Sequence, residues 1–566
     1  MNCLPKKLSL VSFALGLGCN FSSALLAEEP DQSVVEIQSD LTDLSQALSP
    51  IRNFWSVNAR TEQASLSSNP AHAVGKPKVS TVRMLGGWRN QDLNGDAYKW
   101  NGTTYVYDWQ VLTDRIDGWI NSGWDIFQIV LDNPPWAFQR DLTFVAEPDG
   151  VHYLESSRNG VYGNVLPPND PQAWSDFIEA LMHKLVATYG RETVRQWRFR
   201  VGSEIDTRPQ HWAGTMAEFF DHYKDTIDAV HAVLPTALVG THFREASYRG
   251  KYVDYLGKTE NAYGPGFVAW AKQNDVPYDF LAISFYPNIN QAADGDMAEV
   301  YAHEIAPIKD HPDWNPAASF EIHEYKFISK MLRANFVGVA TTHGAAYFAS
   351  LAKMAVANDI REIFQWGAHH EGLFSPDAMT QQILESMVGT TAYRNTLRGA
   401  PSNENTHIDG IISARPTGDG FDALVFSYNP QSPAYQTAES IRLNLTVPLP
   451  AGTKFTYRIT RLDRETHRIN RFFLDHPKTD IPVAEGGWRI PDRHISAPPA
   501  QALAEAGVEA FVQAAKNYPK YNELNWSDWK TSYTNHGDDQ QSQVSIEGEI
   551  ASFAVHKYEI RFTPFP

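Results

Sequence analysis

The sequence predicts an α/β chain: a (β/α)8 TIM barrel followed by a C-terminal β-sandwich. Three observations carry that prediction. Short β-branched runs alternate with amphipathic helical patterns over residues 76–398, the signature of βα units around a parallel sheet. From about residue 400 helical periodicity almost vanishes and strand runs alternate with turns, as in a sandwich. With 566 residues, 43% of them hydrophobic, the chain can also fill more than one core.

Residues 1–27 read as a secretory signal peptide. Lys6 and Lys7 precede an apolar run at 8–18, and the small residues Ser22, Ser23, Ala24 and Ala27 lead to the acidic Glu28-Glu29. The run is too short to cross a bilayer, and no later stretch approaches about 20 apolar residues. Both cysteines, Cys3 and Cys19, lie inside the signal, so its removal leaves a chain with no disulfide or thiol chemistry. Leu17-Gly18-Cys19 also loosely follows a lipobox, with Gly16 where that pattern wants Leu, so lipid anchoring through Cys19 is the alternative. Either way the mature chain is placed outside the cytoplasm, secreted or periplasmic.

A polar leader at 28–75 follows, a linker that could contribute to the sandwich. Barrel strands are expected at 79–85, 126–131, 194–201, 237–241, 280–286, 317–324 and 362–366, with the short segment 105–107 available as the eighth. Apolar residues recurring at spacings of three and four predict helices at 174–189, 216–233, 297–308 and 345–357. The sandwich, 399–566, has strand runs at 423–428, 440–447, 455–461 and 553–562, with one Ala-rich helix inserted at 499–516.

The net charge of −18 argues against general affinity for nucleic acid or anionic lipid. Sixteen Trp and 24 Tyr supply aromatic surface for a ligand. There is no phosphate-binding glycine loop, dinucleotide fingerprint or nucleophilic-serine elbow, so no cofactor is expected. No metal is expected either. Asp92-Leu93-Asn94-Gly95-Asp96 lacks the Glu that ends a calcium loop and reads as a turn, and His369, His370 and Glu371 match no ligand spacing.

In such a barrel, chemistry sits at the C-terminal ends of the strands, where the loops open above a rigid sheet. Glu204, after Trp197-Arg198-Phe199-Arg200-Val201, and Glu324, ending Phe320-Glu321-Ile322-His323-Glu324, both meet that condition. Paired carboxylates flanking a scissile bond are what glycoside hydrolysis requires. Glu321 competes with Glu324: strict alternation puts Glu321 and His323 on one face and Glu324 on the other, unless a bulge intervenes.

The run from Tyr189-Gly190 through Trp197-Arg198-Phe199-Arg200-Val201-Gly202-Ser203-Glu204 resembles the acid/base segment of glycoside hydrolase family 39 and its relatives in the retaining barrel clan. Val106-Tyr107-Asp108-Trp109, Trp212-Ala213-Gly214-Thr215 with Phe219 and Tyr223, Ile283-Ser284-Phe285-Tyr286-Pro287, and Trp366 resemble further family segments, in order over roughly 79–372. The resemblance implies a retaining glycosidase, with Glu204 at the end of strand four as acid/base and Glu324 at the end of strand seven as nucleophile, their carboxyls about 5 to 5.5 Å apart. Glu204 should then be protonated and Glu324 ionised, held so by Tyr286 or a nearby Arg.

Two departures bear on the substrate. Ser203 stands where the family carries the Asn that contacts the sugar 2-hydroxyl, and Ile205 replaces the following Pro. Arg198, Arg200, Arg208, Arg244 and Arg249, with His242, cluster near the ends of strands four and five. They form either intrabarrel ion pairs or a site for sulfate or carboxylate on an acidic, for example algal, polysaccharide. Trp88, Trp124, Trp136 and Trp366 could stack on sugar faces or pack in the core, Asn133-Pro134-Pro135-Trp136 reads as a rim loop, and Ser203, His323 and His369 complete the substrate-binding candidates. Long loops at 141–170 and 248–265 favour action on chain ends, and an open-cleft endo enzyme, a non-catalytic carbohydrate binder and a lyase are the alternatives.

Overall fold

The computed structural model describes residues 34–52, 56–60, 78–87, 95–138, 144–146, 152–154, 163–208, 211–246, 263–287, 295–327, 342–366, 376–431, 435–467, 524–537 and 541–562. Eight parallel strands close into a barrel: Ser56–Arg60, Lys78–Val82, Asp125–Leu131, Arg198–Val201, Leu238–Phe243, Phe280–Phe285, Ser319–Tyr325 and Ile360–Trp366. Counted in that order they are strands one to eight, and strand eight pairs back onto strand one. Wrapped by helices on the outside and filled by side chains inside, such strands are buried on both faces, and strand six is buried at every position.

Local chemistry fixes the helices beside strand four. Pro171 opens helix Pro171–Tyr189, where the Asp170 carboxylate accepts from Ala173 N–H at 3.1 Å, and Gly190 ends it at φ 84°. Helix Met216–Val233 begins with a reciprocal capping box between Thr215 and Glu218, at 2.8 and 3.2 Å. These two ends bracket the loop that carries Glu204.

Several boundaries differ from the sequence reading. The barrel starts at Ser56–Arg60 rather than at residue 76, because that segment pairs in parallel with both Lys78–Val82 and Ile360–Trp366. Tyr105–Tyr107, offered as the eighth strand, instead forms an antiparallel hairpin with Tyr98–Trp100. At the other end, Thr391–Tyr393 and Thr396–Arg398 already belong to the sandwich sheets, so the barrel ends before residue 398. The expected strand 194–201 opens as helix Arg191–Val194, and the expected helix 297–308 breaks at Ile305, where Pro307 starts a second short helix, Ala306–Lys309. Helices Trp109–Asn121, Tyr263–Asn274 and Pro376–Glu385 and strands His407–Ala414 and Ser542–Ile550 were not anticipated. The signal segment, both cysteines and the inserted helix at 499–516 lie outside the described residues. Among those described, no helix is long and apolar enough to cross a membrane.

The sandwich pairs a five-stranded sheet with a seven-stranded one. Part of the leader is integral to it: Val34–Asp40 lies between Thr396–Arg398 and Glu439–Thr446, and Ala47–Pro50 joins the other sheet. Strand Gly420–Tyr428 is buried throughout and serves two cores by alternation. Phe421, Ala423 and Val425 face the sandwich interior, while Leu424, Phe426 and Tyr428 join the barrel core. Against that second face lies helix Thr342–Ala357, with Tyr347 edge-on to Tyr428 at 5.2 Å and a Lys353–Asp409 ion pair beside it.

Ile37 is fully buried in the sandwich core. Its replacement by Ala is expected to lower stability by about 2–5 kcal/mol in urea unfolding. An unchanged transition would show that the leader strand contributes nothing to the domain.

Candidate active site

The floor of the site is a buried ion pair inside the barrel. Alternation along strand four turns Arg198 and Arg200 inward. The Arg198 guanidinium lies 3.8 Å from the Phe280 ring, donates to Gln128 Oε1 at 2.9 Å and grips Glu321 bidentately. Glu321 also accepts from Ser319 Oγ at 2.6 Å and from the His323 ring at 2.6 Å. Burial alone would raise Glu321, but Arg198 and His323 hold it well below the usual carboxylate range. Burial pushes His323 down to about 3, so it is neutral. Since Arg200 donates to its Nδ1 at 3.1 Å, the ring proton sits on Nε2 and points at Glu321. His323, expected at the substrate, therefore lies in the floor, fully buried.

One extra residue in strand seven changes what comes next. Ile322 pairs with Ile283, yet the following pair is Glu324 with Ser284, and on the other side Ile322–Ile363 is followed by Tyr325–Gln365. This bulge cancels the alternation at His323. His323 stays on Arg200, and Glu324 also turns to the barrel axis, where Tyr286 Oη donates to its Oε2 at 2.7 Å. Ser203 Oγ lies 3.4 Å from Glu324 Oε1 and itself accepts from Arg200 Nη2 at 3.0 Å. A chain of donors thus runs from Arg200 through Ser203 to Glu324.

Glu204 reaches the same space by a tight turn after strand four. Gly202 has φ 73°, and a Cβ there would meet Ile205 at 2.5 Å; Glu204 itself has φ 47°, the left-handed region in which non-glycine residues are rare. The turn is held by its backbone. Thr207 N–H donates to Glu204 O at 2.8 Å, and Glu204 N–H donates to His242 Nδ1 at 3.3 Å. His242 is kept neutral by burial and by the cations around it, so its Nε2–H donates to Ser284 Oγ at 3.0 Å. The Glu204 carboxylate faces Arg244 Nε at 3.6 Å through Oε1 and His211 Nε2 at 3.4 Å through Oε2.

Burial first, and then the charge of Glu204, push Glu324 up to about 7, against the pull of Arg200, Tyr286 and Arg83. Carboxyls coupled this strongly titrate as a pair, so just below neutral pH the dyad retains a shared proton. The resemblance implies an ionised Glu324; in the structure burial and the neighbouring carboxylate instead favour its protonated form.

Glu204, Glu324, Ser203, His242, Arg244 and Tyr286 are thus brought together. Asn133, at φ 50°, lines an adjoining cavity of about 20 Å³ with Arg83, Asp132, Ser203, His211 and Trp212, room for about one water. Trp366 ends strand eight, partly exposed. Others are drawn away from the expected role. Trp136 is buried in the short helix Trp136–Phe138, its backbone N–H donating to Asp96 Oδ2 at 2.5 Å; Trp124 packs edge-on to Trp119 at 5.5 Å; and Arg208 is buried with its guanidinium 4.6 Å from the Tyr263 ring centre. Arg198, Arg200 and Arg244 are engaged with Glu321, Ser203 and Glu204, which is the intrabarrel alternative of the arginine reading. Trp88, Arg249, His369, His370 and Glu371 lie outside the described residues. Sequence reasoning missed His211, which shares a loop with Glu204, and the Arg83–Asp132 ion pair beside it.

The model of glycosyl hydrolases family 39 matches residues 148–309. An alpha-1,4-L-rhamnosidase of Formosa agariphila is 31% identical over 539 residues, 94% of each chain. A beta-xylosidase of Caldicellulosiruptor saccharolyticus is 31% identical over 125 residues, 22% of this chain and 23% of its own. Among solved structures, a family 39 enzyme from Xanthomonas axonopodis pv. citri (TM-score 0.57, 17% identity, 93% of this chain and 97% of that one) shares the fold. So does a monomeric beta-xylosidase from Caulobacter crescentus CB15 (TM-score 0.57, 16% identity, 93% and 99%).

The two glutamates of strand seven should respond oppositely to neutralisation. Glu321→Gln strands the buried Arg198 charge and is expected to lose about 3–5 kcal/mol in urea unfolding at both pH 5 and pH 8. Glu324 has a folded value near 7, above its ordinary 4.5, so the stability it contributes is complete below 4.5 and lost as pH rises through 7. Glu324→Gln does not titrate and should therefore exceed wild type by up to about 3 kcal/mol at pH 8, the gain vanishing toward pH 4.5. Destabilisation by Glu324→Gln at pH 8 would contradict the electrostatics described.

Proposed function

Because the chain belongs to glycosyl hydrolases family 39, we propose that it is an exo-acting, retaining α-L-rhamnosidase that frees terminal 1,4-linked L-rhamnose from an oligosaccharide or polysaccharide. The observation that carries the chemistry is the buried Glu204–Glu324 dyad, with cation and hydroxyl donors distributed unequally between its members. The substrate rests on the rhamnosidase aligned over 94% of both chains.

At rest, burial and the Glu204 charge keep the proton on Glu324; for the first step it must pass to Glu204, and the Tyr286 and Ser203 hydroxyls with the field of Arg200 then hold Glu324 as the attacking carboxylate. In the first step Glu204 protonates the glycosidic oxygen while Glu324 attacks the anomeric carbon, and the aglycone leaves from a glycosyl ester on Glu324. In the second, the Glu204 carboxylate takes a proton from water, whose oxygen displaces Glu324. Two inversions give net retention. Arg244, beside Glu204 Oε1, steadies that carboxylate between the steps.

Ser203 supports the sugar assignment. In an α-L-rhamnoside the 2-hydroxyl is axial and lies on the face from which the nucleophile attacks. A group that reads it must sit against the nucleophile and be short, and Ser203 Oγ lies 3.4 Å from Glu324 Oε1. An equatorial 2-hydroxyl, as in a xyloside, suits the longer Asn. The engagement of Arg198, Arg200 and Arg244 within the barrel favours an uncharged reacting sugar, so sulfate or uronate on the polysaccharide would lie beyond the cleaved bond.

The test is product release from nitrophenyl α-L-rhamnoside, α-1,4-rhamnosyl oligosaccharides, β-xylosides, and uronic and sulfated glycans, followed by anomeric NMR. Rhamnose with retained configuration is expected, with kcat/KM falling about tenfold per pH unit above about 7 as the dyad loses its proton, and Glu324→Gln lower by roughly 10³-fold or more. Xylose release would overturn the sugar assignment, an inverted product the mechanism, and tight binding without product the enzymatic reading.

A further inference from the structure

His211 sits seven residues beyond Glu204 in the same loop and has no part in the double displacement as written. Its Nδ1 lies 2.8 Å from the carbonyl oxygen of Ser203. A carbonyl oxygen only accepts, so the ring proton is on Nδ1 and Nε2 carries a lone pair. That lone pair faces Glu204 Oε2 at 3.4 Å.

We infer that His211 is a positioning residue for the acid's proton: a neutral, tautomer-locked imidazole whose Nε2 accepts from Glu204 only while that carboxyl is protonated. The inference rests on the reading of Glu204 as acid/base. Facing lone pairs disfavour the ionised carboxylate on the Oε2 side, whereas Arg244 favours it on the Oε1 side. One oxygen is thus fitted to each half of the reaction, the acid form of the first step and the carboxylate of the second. Moving the proton onto the ring instead would create an imidazolium on a side chain only 6% exposed, beside Arg83, and burial pushes His211 down to about 4. The other charged or titratable groups around the ring are Asp132, whose charge is answered by Arg83, His222, which burial pushes down to about 3, and His242, held neutral. Asp206, in the same loop, accepts from the backbone N–H groups of Arg244 and Glu245 and so ties this loop to the end of strand five.

Ring-nitrogen NMR on the full chain tests the tautomer without any substrate. Between pH 5 and 8 the His211 ring should be neutral with its proton on Nδ1, and its Nε2 resonance should follow the ionisation of Glu204, a response that Glu204→Gln abolishes. A proton on Nε2, or a charged ring across that range, would overturn the inference. The kinetic arm uses His211→Asn, which keeps a donor for the Ser203 carbonyl and removes the group facing Glu204. Its kcat/KM should fall roughly tenfold or more on an unactivated disaccharide and less than about threefold on the nitrophenyl glycoside, which needs little acid assistance. Its alkaline limb should move about one pH unit lower. Equal losses on both substrates with an unmoved limb would show that the ring merely holds the loop. A wild-type protein silent on every glycoside would sink the proposed function, while the NMR arm still decides the tautomer.

Discussion

Everything at the mouth of this barrel depends on one extra residue in strand seven. Without it, the two-residue period of a strand would give the barrel axis either Glu321 and His323 or Glu324, never all three. The bulge between Ile322 and Glu324 admits all of them and sets them at two depths. Glu321 becomes the countercharge of the floor, and Glu324 becomes the carboxylate under the opening. A second distortion, the left-handed turn at Gly202 and Glu204, brings the partner carboxyl across from strand four. Both departures from regular geometry lie where the loops begin, on a scaffold whose eight strands hold them rigidly.

The charges are layered to match. Arg198 is fully answered by Glu321, so the floor is close to neutral and its cost is offset by bidentate geometry and ring contacts. Arg200, one step higher, spends its donors on His323, Ser203 and the Gly202 carbonyl, and only its field reaches Glu324. What remains uncompensated is the repulsion between two enclosed carboxyls. That repulsion opposes stability above neutral pH and is the same term that keeps a transferable proton in the dyad. Stability and chemistry draw on one interaction with opposite signs.

Much of this was legible in the sequence, and the misses have physical causes. Strand six and helix Met216–Val233 announce themselves through a mostly apolar run broken only at Ser284 and through apolar residues spaced by three and four. Glu204 and Glu324 stand out because strand ends are where a barrel exposes carboxylates. Ser56–Arg60 did not, since only Val57 and Ala59 are apolar there and its place is set by pairing on both sides. Nothing in the composition of Phe320-Glu321-Ile322-His323-Glu324 encodes a bulge, so strand alternation alone kept Glu321 as a competitor to Glu324 and could not foresee that both turn to the barrel axis. Trp136 and Arg208 look like ligand contacts in a list of residue types, yet the fold buries both. His211 was hidden for the opposite reason: its significance comes from a loop folding back on its own start, a contact that periodicity cannot report.

The most direct measurement of the central claim is to trap the covalent intermediate with a fluorinated α-L-rhamnosyl fluoride that slows its turnover, digest the protein, and locate the label by mass spectrometry. One rhamnosyl unit, esterified to Glu324, is expected. A label on Glu321 or Glu204, or hydrolysis of the reagent to an inverted product with no label, would contradict it.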